Sequence, residues 1–137
     1  EKYALMHQTP NTPAVSLLYA LAAQLEHLDA ETLPVRLARH QAMAERTAAW
    51  VTAMAARGIA VRMFAPEGHR SWTVSTIAVP PGTLGSEINA AMKAKGFTIS
   101  AGYGKLKDST IRIGHMGEHT VAELDDVLTA LEAVLTA

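Results

Sequence analysis

Few positions in this 137-residue chain pair a reactive side chain with a suggestive setting. Arg112 stands in Ile111-Arg112-Ile113-Gly114-His115-Met116-Gly117. A planar guanidinium on a strand, followed by glycines that let a ligand come close, can grip a carboxylate through two parallel hydrogen bonds. An arginine on the solvated face of a strand has the same local sequence, and that reading stands beside the first. Gly102-Tyr103-Gly104-Lys105 can turn backbone amides toward an anion, but it lacks the rest of a phosphate-loop or dinucleotide fingerprint, so a connecting loop is the simpler reading. Thr9-Pro10-Asn11-Thr12 sets two hydroxyls and an amide ahead of a helix, suited to capping it and able to reach a phosphate. His115 and His119 are four apart, yet Gly117 between them argues against the helix that would turn both onto one metal ion. His40, Met43, Trp50 and Met54 share a helical stripe and read as core. No Ser/His/Asp set and no paired carboxylates stand out.

These positions need elements to carry them. Pro10 and Pro13 bias residues 1–13 toward an extended lead-in. Val15, Leu18, Leu21, Ala22, Leu25 and Leu28 then predict a largely buried helix over about 13–28, apolar around more of its circumference than a one-sided surface helix requires. Thr32 before Leu33-Pro34 offers a capping hydroxyl for a longer helix to Arg57. That helix has a stripe of Leu37 or His40, Met43, Thr47, Trp50 and Met54, opposite Arg36, Arg39, Glu45 and Arg46, with Gly58 as its stop. Strands are expected over Ile59–Ala65, Trp72–Val79, Phe97–Ser100 and Thr110–Ile113, with a helix from Leu84 to Lys95 between the second and third. Strand alternation sets Arg112 on the face opposite Ile111 and Ile113. Thr120-Val121-Ala122-Glu123 is a capping box, opening a last helix with Leu124, Val127, Leu128, Leu131 and Leu135 inside. The order α, α, β, β, α, β, β, α predicts an α+β fold: a small, mostly antiparallel sheet with helices packed mainly on one face.

Composition narrows the partners. With 12 Lys and Arg against 13 Asp and Glu, and a net charge of −1, no basic stripe suits nucleic acid. The most apolar stretch, Ala14 to Leu25, is short of the roughly 20 residues that span a bilayer, so no membrane partner is expected. The absence of cysteine rules out disulfides, thiolate zinc sites and a cysteine nucleophile, and fits a cytoplasmic setting. The opening Glu1-Lys2-Tyr3, with no initiator methionine or leader pattern, reads as a cut within a longer protein.

Two segments carry a family resemblance. Thr12-Pro13-Ala14-Val15-Ser16-Leu17-Leu18-Tyr19-Ala20-Leu21, and Ala101-Gly102-Tyr103-Gly104 followed by Ile111-Arg112-Ile113-Gly114-His115-Met116-Gly117, make the chain resemble the C-terminal portion of class V, fold-type I pyridoxal-phosphate aminotransferases. The resemblance is nearest to the alanine–glyoxylate and serine–pyruvate type, and covers essentially the whole chain. It implies residues 1–30 as lead-in and linking helix and 31–137 as the small domain, with the large cofactor-binding domain absent from this chain. It further implies a homodimeric parent that moves an amino group between a small amino acid and a 2-oxo acid. In that family the arginine matching Arg112 holds the substrate α-carboxylate, and the residue matching Thr12 reaches across the dimer to the cofactor phosphate. The position matching Thr9 is often a tyrosine doing likewise; here it is the shorter threonine. The Schiff-base lysine belongs to the large domain, and Lys2, Lys93, Lys95, Lys105 and Lys107 do not sit in its motif. The chain alone is therefore expected to be inactive and to bind no pyridoxal phosphate. A different class stays open: a free-standing α+β carboxylate-binding or dimerisation module without catalysis.

Overall fold

The structure, a computed structural model, describes residues 2–9 and 11–137; Glu1 and Pro10, both within the expected lead-in, lie outside the described residues. The chain forms two compact units, Glu1–Arg36 and Leu37–Ala137.

In the first unit a single helical turn, α1 (Lys2–Leu5), precedes α2 (Val15–Glu31). The turn corrects the expectation of a wholly extended lead-in. A proline restrains itself and the residue before it, so Pro10 and Pro13 leave Lys2–Leu5 free to coil. The expected burial of α2 is also corrected. None of its residues is buried, with Leu17 68% and Tyr19 74% exposed. Periodicity records which faces of a helix are apolar and carries no information on what covers them. Nor do the threonines cap it: the residue before α2 is Ala14, with no side-chain cap, and the Thr9 hydroxyl donates to Asn11 O (2.7 Å). At Thr32 the backbone carbonyl, not the hydroxyl, takes the Arg36 N–H (3.1 Å), while Arg36, expected on a solvated face, is buried and paired with Glu31 (3.0 Å).

The second unit begins within α3 (Leu33–Ala56), whose inner stripe is His40, Met43, Thr47, Val51 and Met54. Leu37 is exposed, so the stripe resolves to His40. Gly58 follows with φ +88°, the left-handed stop expected of it, and the Ile59 N–H turns back to Met54 O (3.1 Å). Then come β1 (Arg62–Met63), β2 (Val74–Ala78), α4 (Gly85–Ala94), β3 (Ser100–Ala101), a 3₁₀ turn (Gly104–Leu106), β4 (Thr110–Gly114) and α5 (Val121–Leu135).

Among the described residues these strands form one antiparallel sheet in the order β1-β2-β4-β3. The first and third strands are shorter than the alternation suggested. Helix closure consumes their starts: Phe97 N–H bonds Met92 O (3.0 Å), which leaves pairing to begin at Ser100. Ile77, Ile111 and Ile113 face a core shared with Met43, Val51 and Met54 of α3, Ile88 and Met92 of α4, and Leu124, Leu128 and Leu131 of α5. The helices thus cover one face of the sheet, as α+β layering requires. The capping box at α5 is complete: Thr120 Oγ1 accepts the Glu123 N–H, and the Glu123 carboxylate accepts the Thr120 N–H (2.8 Å).

Candidate functional site

Arg112 lies at the middle of β4, flanked by buried Ile111 and Ile113, and is itself half-buried on the uncovered face. Sheet register sets Thr76 of β2 opposite it on one side and Ser100 of β3 on the other. The row Thr76, Arg112, Ser100 therefore crosses three strands on one face. Neither hydroxyl has a hydrogen-bond partner among the described residues. Arg112 Nε donates to Ala101 O (3.0 Å), which fixes one edge of the guanidinium. The two Nη groups keep the parallel N–H pair that a carboxylate accepts.

Thr76 and Ser100 were not singled out in the sequence. Alternation could have assigned each to a face of its own strand, but only pairing aligns them with Arg112. The glycines near Arg112 divide: Gly114 and Gly117, which follow it, leave open space, and Gly102, in the loop before β4, does not. At Gly102 that space holds the protein's own backbone. A methyl group there would lie 2.6 Å from the Leu106 carbonyl carbon, and closer still to its oxygen and to Thr110 Oγ1. Gly114 has nothing nearer than Met116 Cε at 4.0 Å, and Gly117 has nothing within 4 Å of an added methyl group.

The segment beyond Arg112 is anchored on the covered side. His115 is 1% exposed; its Nδ1 lies 3.0 Å from Trp72 O and its Nε2 3.0 Å from Ser75 Oγ. A carbonyl only accepts, so Nδ1 carries the proton and Nε2 takes the serine O–H. Burial pushes the imidazole pKa below the ordinary histidine value, against the pull of the Trp72 carbonyl, and a charge on His40 would act in the same direction as burial. His119 is instead on the surface, 3.8 Å from Glu123. The two histidines do not converge, and no group of three or more metal-ligating side chains occurs among the described residues. Thr9 and Thr12 belong to the first unit, both exposed; the Thr12 hydroxyl has no partner among the described residues. Lys93, Lys95, Lys105 and Lys107 are all exposed.

No protein-family model matches the chain. Its sequence is 33% identical over 135 residues to a soluble hydrogenase small subunit of Synechococcus, covering 98% of this chain and 34% of that protein. It is 31% identical over 134 residues to a serine–glyoxylate aminotransferase of Arabidopsis thaliana, covering 97% of this chain and 32% of that enzyme. In fold it matches the crystal structure of an alanine–glyoxylate aminotransferase from Nostoc with a TM-score of 0.81 at 25% identity, over 93% of this chain and 33% of that one. The chain thus spans about a third of the length of the curated relatives it matches. In sequence and in fold alike, it is similar to the small-domain third of class V aminotransferases of the alanine/serine–glyoxylate type.

Proposed function

We propose that this chain is the C-terminal small-domain portion of a pyridoxal-phosphate aminotransferase, and that Arg112 holds the α-carboxylate of a small amino acid such as alanine or serine and of the 2-oxo acid, glyoxylate or pyruvate, that accepts the amino group. The observation that carries this is the half-buried guanidinium on the uncovered sheet face, pinned through Nε and free to fork through its Nη groups. Thr76 and Ser100 stand beside it as further donors to a bound carboxylate. Pinning matters because a carboxylate held at fixed geometry presents its neighbouring carbon at fixed geometry too.

Pyridoxal phosphate, when bound by the whole enzyme, supplies the electron sink for amino-group exchange. The residues here fit only its periphery. Thr12 has an exposed hydroxyl able to donate to a phosphate, whereas the Thr9 proton is engaged by Asn11 O and Thr9 would have to turn to do the same. Lys93, Lys95, Lys105 and Lys107 are exposed and lack the desolvated setting of a Schiff-base nitrogen, so the chain by itself is inactive in this reading. A homodimeric, cytoplasmic parent belongs to the same proposal. No helix among the described residues is long and apolar enough to cross a membrane.

The test is kcat/KM of Arg112→Ala and Arg112→Lys in the intact enzyme. Losing one side of a charge-assisted pair is expected to cost about 2 to 4 kcal/mol in transition-state stabilisation. Lysine should restore little of it, since a point charge does not reproduce the fork. Near-normal values for both variants would return Arg112 to the role of a surface residue.

A further inference from the structure

We infer that His115 is a positioning residue for Arg112: through Ser75 and the Trp72 carbonyl it fixes the strand pair from which the guanidinium projects. The inference rests on the carboxylate-binding reading of Arg112. Residues 111, 113 and 115 share the covered side of β4, while Arg112 projects from the other. Backbone pairing of β2 with β4 closes at Val74 and Gly114, and the His115 N–H adds a bond to Thr73 O (2.9 Å) beyond that point. The imidazole then contributes two more links to the same strand region. One goes to the Trp72 carbonyl, and one to Ser75, which sits opposite Ile113, immediately beside the Thr76–Arg112 pair.

The imidazole and the serine hydroxyl are shielded, with Ser75 3% and His115 1% exposed. Such a buried arrangement has one satisfied tautomer, so it holds a single register. The loop that follows is tied down as well. Gly117 O accepts from Arg39 Nη2 (3.0 Å) and lies 3.2 Å from His40 Nε2, and His119 O accepts from Arg39 Nη1. The end of β4 is therefore held from β2 and from α3, and an error of even a fraction of an ångström there passes to Arg112, three residues away.

The experiment uses the intact enzyme with L-alanine and L-serine as donors and glyoxylate as acceptor. His115→Asn keeps an amide donor for Trp72 O but cannot reach Ser75; Ser75→Ala removes only the hydroxyl and serves should the histidine variant fold poorly. Each is expected to raise the donor KM about tenfold, short of the hundredfold that a 1 Å misplacement can cost, with kcat per folded molecule changed less. The same substitutions in an Arg112→Ala background should leave kcat/KM unchanged beyond the loss from Arg112→Ala itself. A fold-stabilising role alone would lower the active fraction and leave KM where it was. Unchanged KM in Ser75→Ala, or an equal penalty with and without Arg112, overturns the inference while Arg112→Ala still raises KM. If Arg112→Ala leaves KM unaltered, the carboxylate reading fails and the positioning role falls with it.

Discussion

Replacing Gly102 by alanine tests how tightly the loop before β4 is packed against the strand that bears Arg112. The new methyl group would meet the Leu106 carbonyl carbon at 2.6 Å, and backbone atoms cannot swing aside as a flexible side chain can. Relief requires the loop to lift. That would break the bond from Gly102 N–H to Thr110 O (2.8 Å) and the bond from Thr110 Oγ1 to Leu106 O (2.9 Å). Two hydrogen bonds at about 1 kcal/mol each, with about 1 to 3 kcal/mol for overpacking, give an expected loss of about 3 to 5 kcal/mol. That is a large part of the about 5 to 15 kcal/mol that stabilises a typical native protein. Gly104→Ala is the control: its φ is +56° but nothing lies within 4 Å of a methyl group, so only the left-handed conformation, about 1 to 2 kcal/mol, opposes it. Urea unfolding of the two variants beside the parent chain measures the difference. A Gly102→Ala loss no greater than that of Gly104→Ala would show that the loop yields freely and that the close packing described here does not constrain it.

Other expectations follow from the same contacts. Thr120→Ala should cost about 1 kcal/mol by removing the cap of α5, and a thermal midpoint unmoved from the parent would refute the capping role. Because burial lowers the His115 pKa in the fold, the unfolded chain takes up its proton first as pH falls; its contribution is intact above the ordinary value near 6.5 and declines below it, with a slope of at most one proton. Denaturation between pH 7.5 and 5 should show that decline in the parent and a flatter course in His115→Phe. A parent curve without the decline would count against the buried neutral tautomer. The exposed apolar face of α2 should drive self-association, visible by sedimentation and abolished by Leu18→Glu with Leu21→Glu, whereas a strictly monomeric parent chain would contradict it.

Local chemistry was enough to read much of this protein from its residues. Gly58 and Gly96 stop helices because a left-handed residue after the last turn is cheap only without a side chain, and Thr120 with Glu123 starts one because two orphan amides need two acceptors. Alternation alone put Arg112 on the face away from Ile111 and Ile113. Tertiary structure decided what depends on partners distant in the chain. Pairing of β2 and β3 with β4 brought Thr76 and Ser100 beside Arg112, and residues forty positions apart made the His115–Ser75 link. The space beside Gly102 was filled by Leu106 and Thr110, a packing that no local pattern announced. The same limit explains α2, whose periodicity was apolar enough for a core while none of its residues is buried. A local pattern fixes which way a side chain points; burial, register and hydrogen-bond partners are properties of whatever the fold sets opposite it.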